Sequence, residues 1–242
     1  MTKKIFFIFF FIFLSHKIFA YNYKYKSDDV SISLKFDESK ISEIKFEFVK
    51  DDQKHFGIID YSNKEININL NTDKITFDEF KKFFPKPQTN SKLNKKINFN
   101  WEIAELFVSD KYSLYSNKLN FTYNKGFDSL TFYDSKKDFE LSILPNSYGD
   151  KQLYLSARNA GQFFYAQKIT KNMIGGTLIG KGKFRKFDDY DLTIKVKDFS
   201  VNKKSEFYNL IFTSRLLDIF SILQNKQDEF NYLEIPIQKK GK

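Results

Sequence analysis

The sequence of 242 residues contains no cysteine and only two histidines, His16 and His55. The absence of cysteine excludes disulfides, thiolate metal sites, a cysteine nucleophile and an N-terminal lipid-modified cysteine. A histidine metal site or a Ser-His-Asp triad would have to rest on His55, because His16 lies in the N-terminal segment described next. We interpret His55, at the start of a predicted strand, as structural. The sequence therefore predicts a protein that is not an enzyme and has no metal and no cofactor.

Long apolar runs are also scarce, and the one that stands out lies at the N-terminus. Residues 1–4 form a short basic region, residues 5–14 are continuously apolar, and Ala20 precedes a plausible cleavage point. This order is typical of a secretory signal peptide, and the run is shorter than the ~20 residues that span a bilayer. Residues 1–20 are predicted to be a signal peptide or, if retained, a short membrane anchor. We expect a periplasmic protein, attached to the inner membrane in the second case.

The formal net charge of +10 raises nucleic acid or an anionic surface as a partner. Lys3, Lys4 and Lys17 belong to the N-terminal segment, so a chain starting at Tyr21 has 40 − 3 = 37 basic and 30 acidic residues, or +7. The remaining lysines are spread along alternating segments. This favours a solvated sheet face over a dedicated anion-binding patch, and export argues against nucleic acid as a partner.

Most of the remaining chain alternates apolar and polar residues with the period of a half-buried strand. Turn residues separate the alternating runs at intervals of about 8–12 residues, as in a meandering antiparallel sheet. We count at least ten such strands, and an open sheet of that size must curl. The predicted fold is mainly β: a long, curled, groove-like antiparallel sheet with short helices across it and an apolar C-terminal helix. The clearest runs are Val30–Phe36, Ile44–Phe48, Ile66–Leu70, Ile97–Ile103, Leu119–Tyr123 and Leu192–Phe199.

Three helices interrupt the alternation. The first has a Thr76-x-x-Glu79 capping box and ends at Pro85 and Pro87. Residues 86–92 are the best linker candidate, so we divide the chain into a sheet-plus-helix unit over 21–85 and a β-rich domain over 93–242. The second helix, 160–169, is capped by Asn159 with Gln162, and Gly175 and Gly176 suit the strand entry that follows. The third, about 206–224, is apolar over more than half its circumference.

Two apparent catalytic patterns have simpler explanations. Gly175-x-x-x-x-Gly180-Lys181 matches most of a phosphate-binding loop, but Gly182 stands where Ser or Thr should bind magnesium, and a strand follows instead of a helix. The acid pairs at 28–29, 51–52 and 188–189 fall where turns are expected, which suits solvated turn residues better than paired catalytic carboxylates. The many aromatic residues are assigned to core packing rather than to base or sugar stacking.

The second half of the chain contains an ordered set of short motifs. They lie at 156–161, 163–164, 174–178, 197–201, 210–223 and 230–233. This set resembles the C-terminal domain of the AsmA-like family of Gram-negative envelope proteins. It departs from the family pattern at Asn159, where Asp is usual, and at Lys204-Ser205, where Ala-Pro is common. The resemblance implies an exported, β-rich protein with an apolar groove for lipid acyl chains.

We therefore expect a protein that binds or conducts lipid acyl chains in an apolar β-groove and contributes to lipid transport or outer-membrane homeostasis. Its partners would be lipids, a membrane surface or other envelope proteins. The alternative is a periplasmic interaction or assembly module with no ligand. A hydrolase is a third, weaker reading. Gly161, Gly175 and Gly176 are predicted structural turn residues, and the candidates for lipid or membrane contact are Phe163, Phe164, Phe207, Ile211, Phe212, Leu216, Ile219, Phe220 and Leu223.

Overall fold

A computed structural model describes residues 23–26, 30–37, 40–50, 53–62, 64–83, 95–110, 112–124, 126–186, 189–202 and 228–240. The predicted signal segment, the linker at 86–92 and the apolar helix at 206–224 lie outside the described residues. The predicted mainly-β fold is confirmed, since the described residues form one open, curled sheet of 13 strands. Its elements are β1 (Tyr23–Lys26), β2 (Val30–Asp37), β3 (Lys40–Lys50), β4 (Gln53–Tyr61), β5 (Glu65–Thr76), α1 (Phe77–Phe83), β6 (Lys96–Ser109), β7 (Tyr112–Tyr123), β8 (Phe127–Tyr133), β9 (Phe139–Pro145), β10 (Lys151–Ala157), α2 (Ala160–Ala166), β11 (Met173–Lys186), β12 (Asp189–Val201) and β13 (Asp228–Lys239).

Each described strand lies beside its neighbour in the sequence, from β1 at one edge to β13 at the other. Neighbouring strands pair antiparallel except β5 and β6, which run parallel with α1 between them in the sequence. The pairing of β5 with β6 makes the sheet continuous across the predicted boundary between residues 85 and 93. The division into two units stays a prediction.

One face of the sheet is apolar from edge to edge, because the alternation of every strand is in register with that of the next. Phe99, for example, has Ile68 on one side and Phe121 on the other. The opposite face carries polar partners such as Asn69, Asn100 and Asn120. One complete row of partners across the apolar face is Tyr23, Leu34, Ile44, Ile59, Ile68, Phe99, Phe121, Leu130, Ile143, Leu153, Gly182, Leu192 and Ile237.

The sheet curls towards its apolar face. Phe127 on β8 and Phe184 on β11 are three strands apart, which in a flat sheet corresponds to ~14 Å at about 4.8 Å per strand. Their ring centroids are 5.0 Å apart. The curl lets a single sheet bury its own apolar face, and both helices lie on that face: Phe80 of α1 packs on Trp101 and Phe163 of α2 packs on Phe139.

Both helices also lie at the same end of the sheet, which we call the helix end. There β5 ends at Thr76, β6 at Ser109 and β10 at Ala157, and β11 begins at Met173. The strands β12 and β13 meet at this end too, through the pair Val201 and Asp228. The apolar core is continuous beneath the helices, because Phe139 and Leu141 pack against both of its buried clusters.

Candidate functional site

A groove of about 860 Å³ opens at the helix end of the sheet. Its walls are the start of α1, the end of β6 and the segment that joins α2 to β11. The lining mixes apolar side chains with charged ones at the rim. The lining residues are Thr76, Phe77, Asp78, Phe107, Val108, Ser109, Asp110, Tyr165, Ala166, Lys168, Ile169, Thr170, Lys171 and Asn172.

The first wall is fixed by the parallel pairing of β5 and β6 and by the cap of α1. The pairing places Thr76 directly beside Phe107. The predicted capping box is confirmed: Glu79 N–H donates to Thr76 Oγ1 and Thr76 N–H donates to Glu79 Oε2, each at 3.2 Å. The chain therefore turns sharply from β5 into α1 beside the end of β6.

The second wall is α2, which is fixed at its N-terminus. Gln162 N–H donates to Asn159 Oδ1 at 3.0 Å, as the predicted cap requires. The side chain of Gln162 does not complete a capping box, because its Oε1 accepts from Ser109 Oγ at 2.9 Å and so ties α2 to the end of β6. Gly161 lies inside the first turn of α2 and not in a turn between elements. A Cβ there would lie 2.5 Å from the carbonyl oxygen of Met173, so glycine at this position allows α2 to approach β11 closely.

The helix α2 ends at Ala166, three residues earlier than predicted. Lys168 has φ +59, and the two closing hydrogen bonds run from Lys168 N–H to Tyr165 O and from Ile169 N–H to Phe164 O, each at 2.9 Å. This is a Schellman motif with lysine where glycine is usual. The left-handed residue stops the helix and directs residues 169–172 along the rim of the groove.

The rim carries charges of both signs. Lys168 Nζ lies 3.2 Å from Asp78 Oδ2, which connects the end of α2 with the start of α1 across the groove. Both side chains are more than half exposed, so the ion pair adds little to stability. Lys171 and Asp110 are exposed at the same rim.

A smaller cavity of about 20 Å³ lies directly beneath the groove. The two spaces share Phe77, Val108 and Ala166, so these side chains form the boundary between the groove and the apolar interior. The walls of the small cavity are mostly apolar and include Leu106 and Phe163. Any enlargement at the boundary would therefore extend the groove into the core of the sheet.

Polar groups at the edge of the small cavity stay uncharged or paired. The pKa of Tyr112 is raised to about 12, first by burial and then by the nearby charges of Asp138 and Asp134, with Arg158 acting in the opposite direction. Tyr112 is therefore a neutral phenol at physiological pH. Asp138, also in the lining, accepts from Arg158 at 3.2 Å.

The other sequence candidates lie away from the groove or have structural roles. His55 is buried, stacks on Phe48 at 4.4 Å, and has Nδ1 3.1 Å from Thr72 Oγ1, which also accepts from Trp101 Nε1 at 2.9 Å. The phosphate-loop-like glycines lie within β11, and Asp189 is paired with Arg185. Among the described residues, no cluster of three His, Asp or Glu side chains could hold a metal ion.

The remaining predicted contact residues and structural turn residues fall into three groups. Phe163 is half-buried, lines the small cavity and stacks on Phe139, whereas Phe164 is buried in the core and does not line the groove. Gly175 and Gly176 have φ +66 and +80 near the start of β11. The remaining candidates lie outside the described residues: Phe207, Ile211, Phe212, Leu216, Ile219, Phe220 and Leu223.

Several lining residues were missed by sequence reasoning, above all Phe107, Val108 and Ile169. Phe107 and Val108 are consecutive at the end of an alternating strand, and Ile169 follows the end of α2. The available signal was the run of three apolar residues from Leu106 to Val108, where alternation should place a polar residue at the middle position. Their convergence depends on the parallel pairing of β5 and β6, which alternation cannot reveal.

In comparison with known proteins, no family model, curated protein or solved structure matches the chain. In the described ranges, neither helix is long and apolar enough to cross a bilayer.

Proposed function

We propose that this protein is a non-enzymatic, exported envelope protein that binds the acyl chain of an amphiphilic lipid in the groove at the helix end. The groove itself carries the proposal. Its volume of about 860 Å³ lies within the range of roughly 300–1,000 Å³ that is usual for small-molecule sites. It combines an apolar floor with a charged rim, which is the arrangement that an amphiphile requires.

The floor would hold the apolar part of the lipid. Phe77, Val108 and Ala166 face the groove on one side and the apolar interior on the other. An acyl chain lying against this floor removes apolar area from water, and burial of apolar area is the main source of affinity for such a ligand. Lys171 at the rim would face an anionic headgroup, whereas Lys168 pairs with Asp78.

The apolar face beyond the groove supports conduction as well as binding. Ile32, Leu34 and Phe46 on β2 and β3 are half-buried, and within the described ranges α1 packs on β5 and β6 while α2 packs on β6, β11 and β12. The apolar face over β2 to β4 thus has no described helix above it. A lipid chain could follow this face along the curl of the sheet.

The sequence adds two supports that are independent of the groove. The N-terminal segment has the pattern of an export signal, which supports a periplasmic location for the proposed activity. The motifs over 156–233 resemble those of the AsmA-like family, and lipid transport or outer-membrane homeostasis is the role that this resemblance implies.

The experiment is to narrow the groove at its floor. Val108→Phe adds bulk at the boundary between groove and interior, and we expect it to weaken binding of a fluorescent acyl-chain probe by about tenfold or more, a loss of ~1.4 kcal/mol. The matched control is Val49→Phe, which changes another half-buried valine on the polar face of β3. Mass spectrometry of lipids extracted from both variants and from the wild type gives a second measurement.

The outcomes separate cleanly. Equal probe binding by wild type and Val108→Phe, with both folded by circular dichroism, would refute the groove as the site. A wild-type protein that carries no extractable lipid and binds no acyl probe would refute lipid binding altogether.

A protein-docking module is the second candidate, favoured by the edge of the sheet. Among the described strands, β13 pairs with β12 and offers its other edge over a strand of 12 residues. An open edge of that length can accept a strand from a partner. Crosslinking in cells that captures one stoichiometric protein partner at β13, with no lipid adduct in the groove, would favour this reading.

A further inference from the structure

The segment from Tyr165 to Ile174, which we call the tip, exposes three large apolar or aromatic side chains. Ile169 is 57% exposed, Ile174 50% and Tyr165 43%. Scattered exposed apolar residues are ordinary, but three large ones within ten residues at one end of the fold form a group that calls for an explanation.

The backbone of the tip is tied down, so this exposure is built into the fold. Asn172 N–H donates to Thr170 Oγ1 at 3.1 Å, and Asn202 N–H donates to Asn172 O at 3.2 Å. The polar Thr170 is only 8% exposed while its neighbour Ile169 is the most exposed isoleucine of the described chain. Burial of apolar area alone would give the opposite arrangement.

The ending of α2 shows the same inversion. In a Schellman motif the residue after the left-handed position commonly packs back on the helix. Here that residue is Ile169, and it faces solvent instead. The left-handed position is Lys168, where glycine would be free of strain.

The charge of the tip identifies what would cover it. Residues 165–174 contain no acidic residue and two lysines, of which Lys168 pairs with Asp78 of α1 and Lys171 is exposed at the rim. Exposed isoleucines and a tyrosine beside lysines match the interfacial zone of an anionic bilayer, where aromatic rings lie at headgroup level and lysines meet lipid phosphates. The tip also forms one rim of the groove, since Tyr165, Lys168 and Ile169 line it.

We propose that the tip docks on the surface of an anionic membrane and brings the mouth of the groove to the lipid headgroups. This inference deepens the proposed function and rests on it for its purpose. Ile169 and Tyr165 enter the headgroup zone, Ile174 extends the contact on the outer face of β11, and Lys171 binds a phosphate. A lipid could then pass between bilayer and groove without crossing water.

The test is sedimentation of the purified protein with phosphatidylcholine vesicles, with and without phosphatidylglycerol. We expect binding that depends on phosphatidylglycerol, and about a tenfold loss of partitioning for Ile174→Glu. Ile174 is chosen because it does not line the groove. The control is Ile179→Glu, which changes a 42% exposed isoleucine further along the same strand and should bind vesicles like the wild type. Lys171→Glu should reduce the dependence on phosphatidylglycerol.

Each other outcome overturns the proposal. Wild-type protein that does not sediment, or equal losses for Ile174→Glu and Ile179→Glu, would exclude the tip as the contact. If Ile174→Glu changes the oligomeric state and leaves vesicle binding unchanged, the tip contacts a second copy of the chain instead of a membrane. Val108→Phe should keep vesicle binding and lose the acyl probe, whereas Ile174→Glu should do the reverse. Failure of the docking and failure of the groove are therefore distinguishable.

Discussion

Replacement of Asp134 by asparagine should destabilise the fold, because this carboxylate holds the turn between β8 and β9. Asp134 is 2% exposed; its Oδ1 accepts from Phe139 N–H at 2.7 Å and its Oδ2 from Lys136 N–H at 2.9 Å. Asparagine has the same shape but a single acceptor oxygen, so one backbone N–H would face an NH₂ group. Loss of a buried hydrogen bond to a charged acceptor costs about 1.5–3 kcal/mol.

The measurements are urea unfolding, for the free energy of unfolding, and thermal unfolding, for Tm, both followed by circular dichroism and compared with a matched control. For a chain of this size, each kcal/mol lowers Tm by about 2–4 °C, so a drop of roughly 3–12 °C is expected. Asp150→Asn changes an exposed aspartate in the next turn, between β9 and β10, and should be near neutral. Stability of Asp134→Asn within ~0.5 kcal/mol of the wild type would refute the argument.

Two further predictions concern α2 and the small cavity. Gly161→Ala should lower the free energy of unfolding in urea by about 1–3 kcal/mol, since the added Cβ would lie 2.5 Å from Met173 O. The control is Gly126→Ala, whose Cβ would have no non-neighbouring atom within 4 Å and which should not destabilise the fold. Equal effects of the two substitutions would contradict the close approach of Gly161 to β11. Because burial raises the pKa of Tyr112 in the folded protein to about 12 from the ordinary value of 10.0, its contribution to stability is complete below pH 10 and is lost as pH rises from 10 towards 12. Tyr112→Phe should flatten that alkaline decline, measured as Tm against pH, and an unchanged slope would count against it.

The strands were predictable because each carries its own evidence. The alternation in Val30–Phe36 or Ile97–Ile103 needs no knowledge of the rest of the chain, and burial of one face follows directly from it. The capping box of Thr76 and Glu79 is equally local, and its two hydrogen bonds are as expected. Features that depend on only a few neighbouring residues could therefore be predicted from the sequence.

Features that depend on contacts between distant parts of the chain could not be predicted from the sequence. The end of α2 depends on Lys168 adopting a left-handed conformation, which a residue with a side chain disfavours. At the other end of the helix, Gly161 packs closely on β11. Gln162 was expected to serve its own helix and instead binds Ser109, 53 residues earlier in the chain. The groove follows from such contacts, so its floor at Val108 and its rim at Ile169 could not be named from the pattern of one strand.

The parallel step between β5 and β6 has a consequence that can be counted in reversals. Four successive antiparallel pairings lead from β6 to β10, and an even number of reversals returns the chain to its original direction. Since β6 runs with β5, the strand β10 also ends where β5 ends. Had β6 reversed, parity would place α2 at the far end of the sheet, about a strand length of ~23 Å away from α1 for seven residues at 3.3 Å each. Hairpins could therefore be inserted or lost between β6 and β10 in whole pairs of strands without exchanging the ends, whereas a single added strand would separate the two helices and abolish the groove.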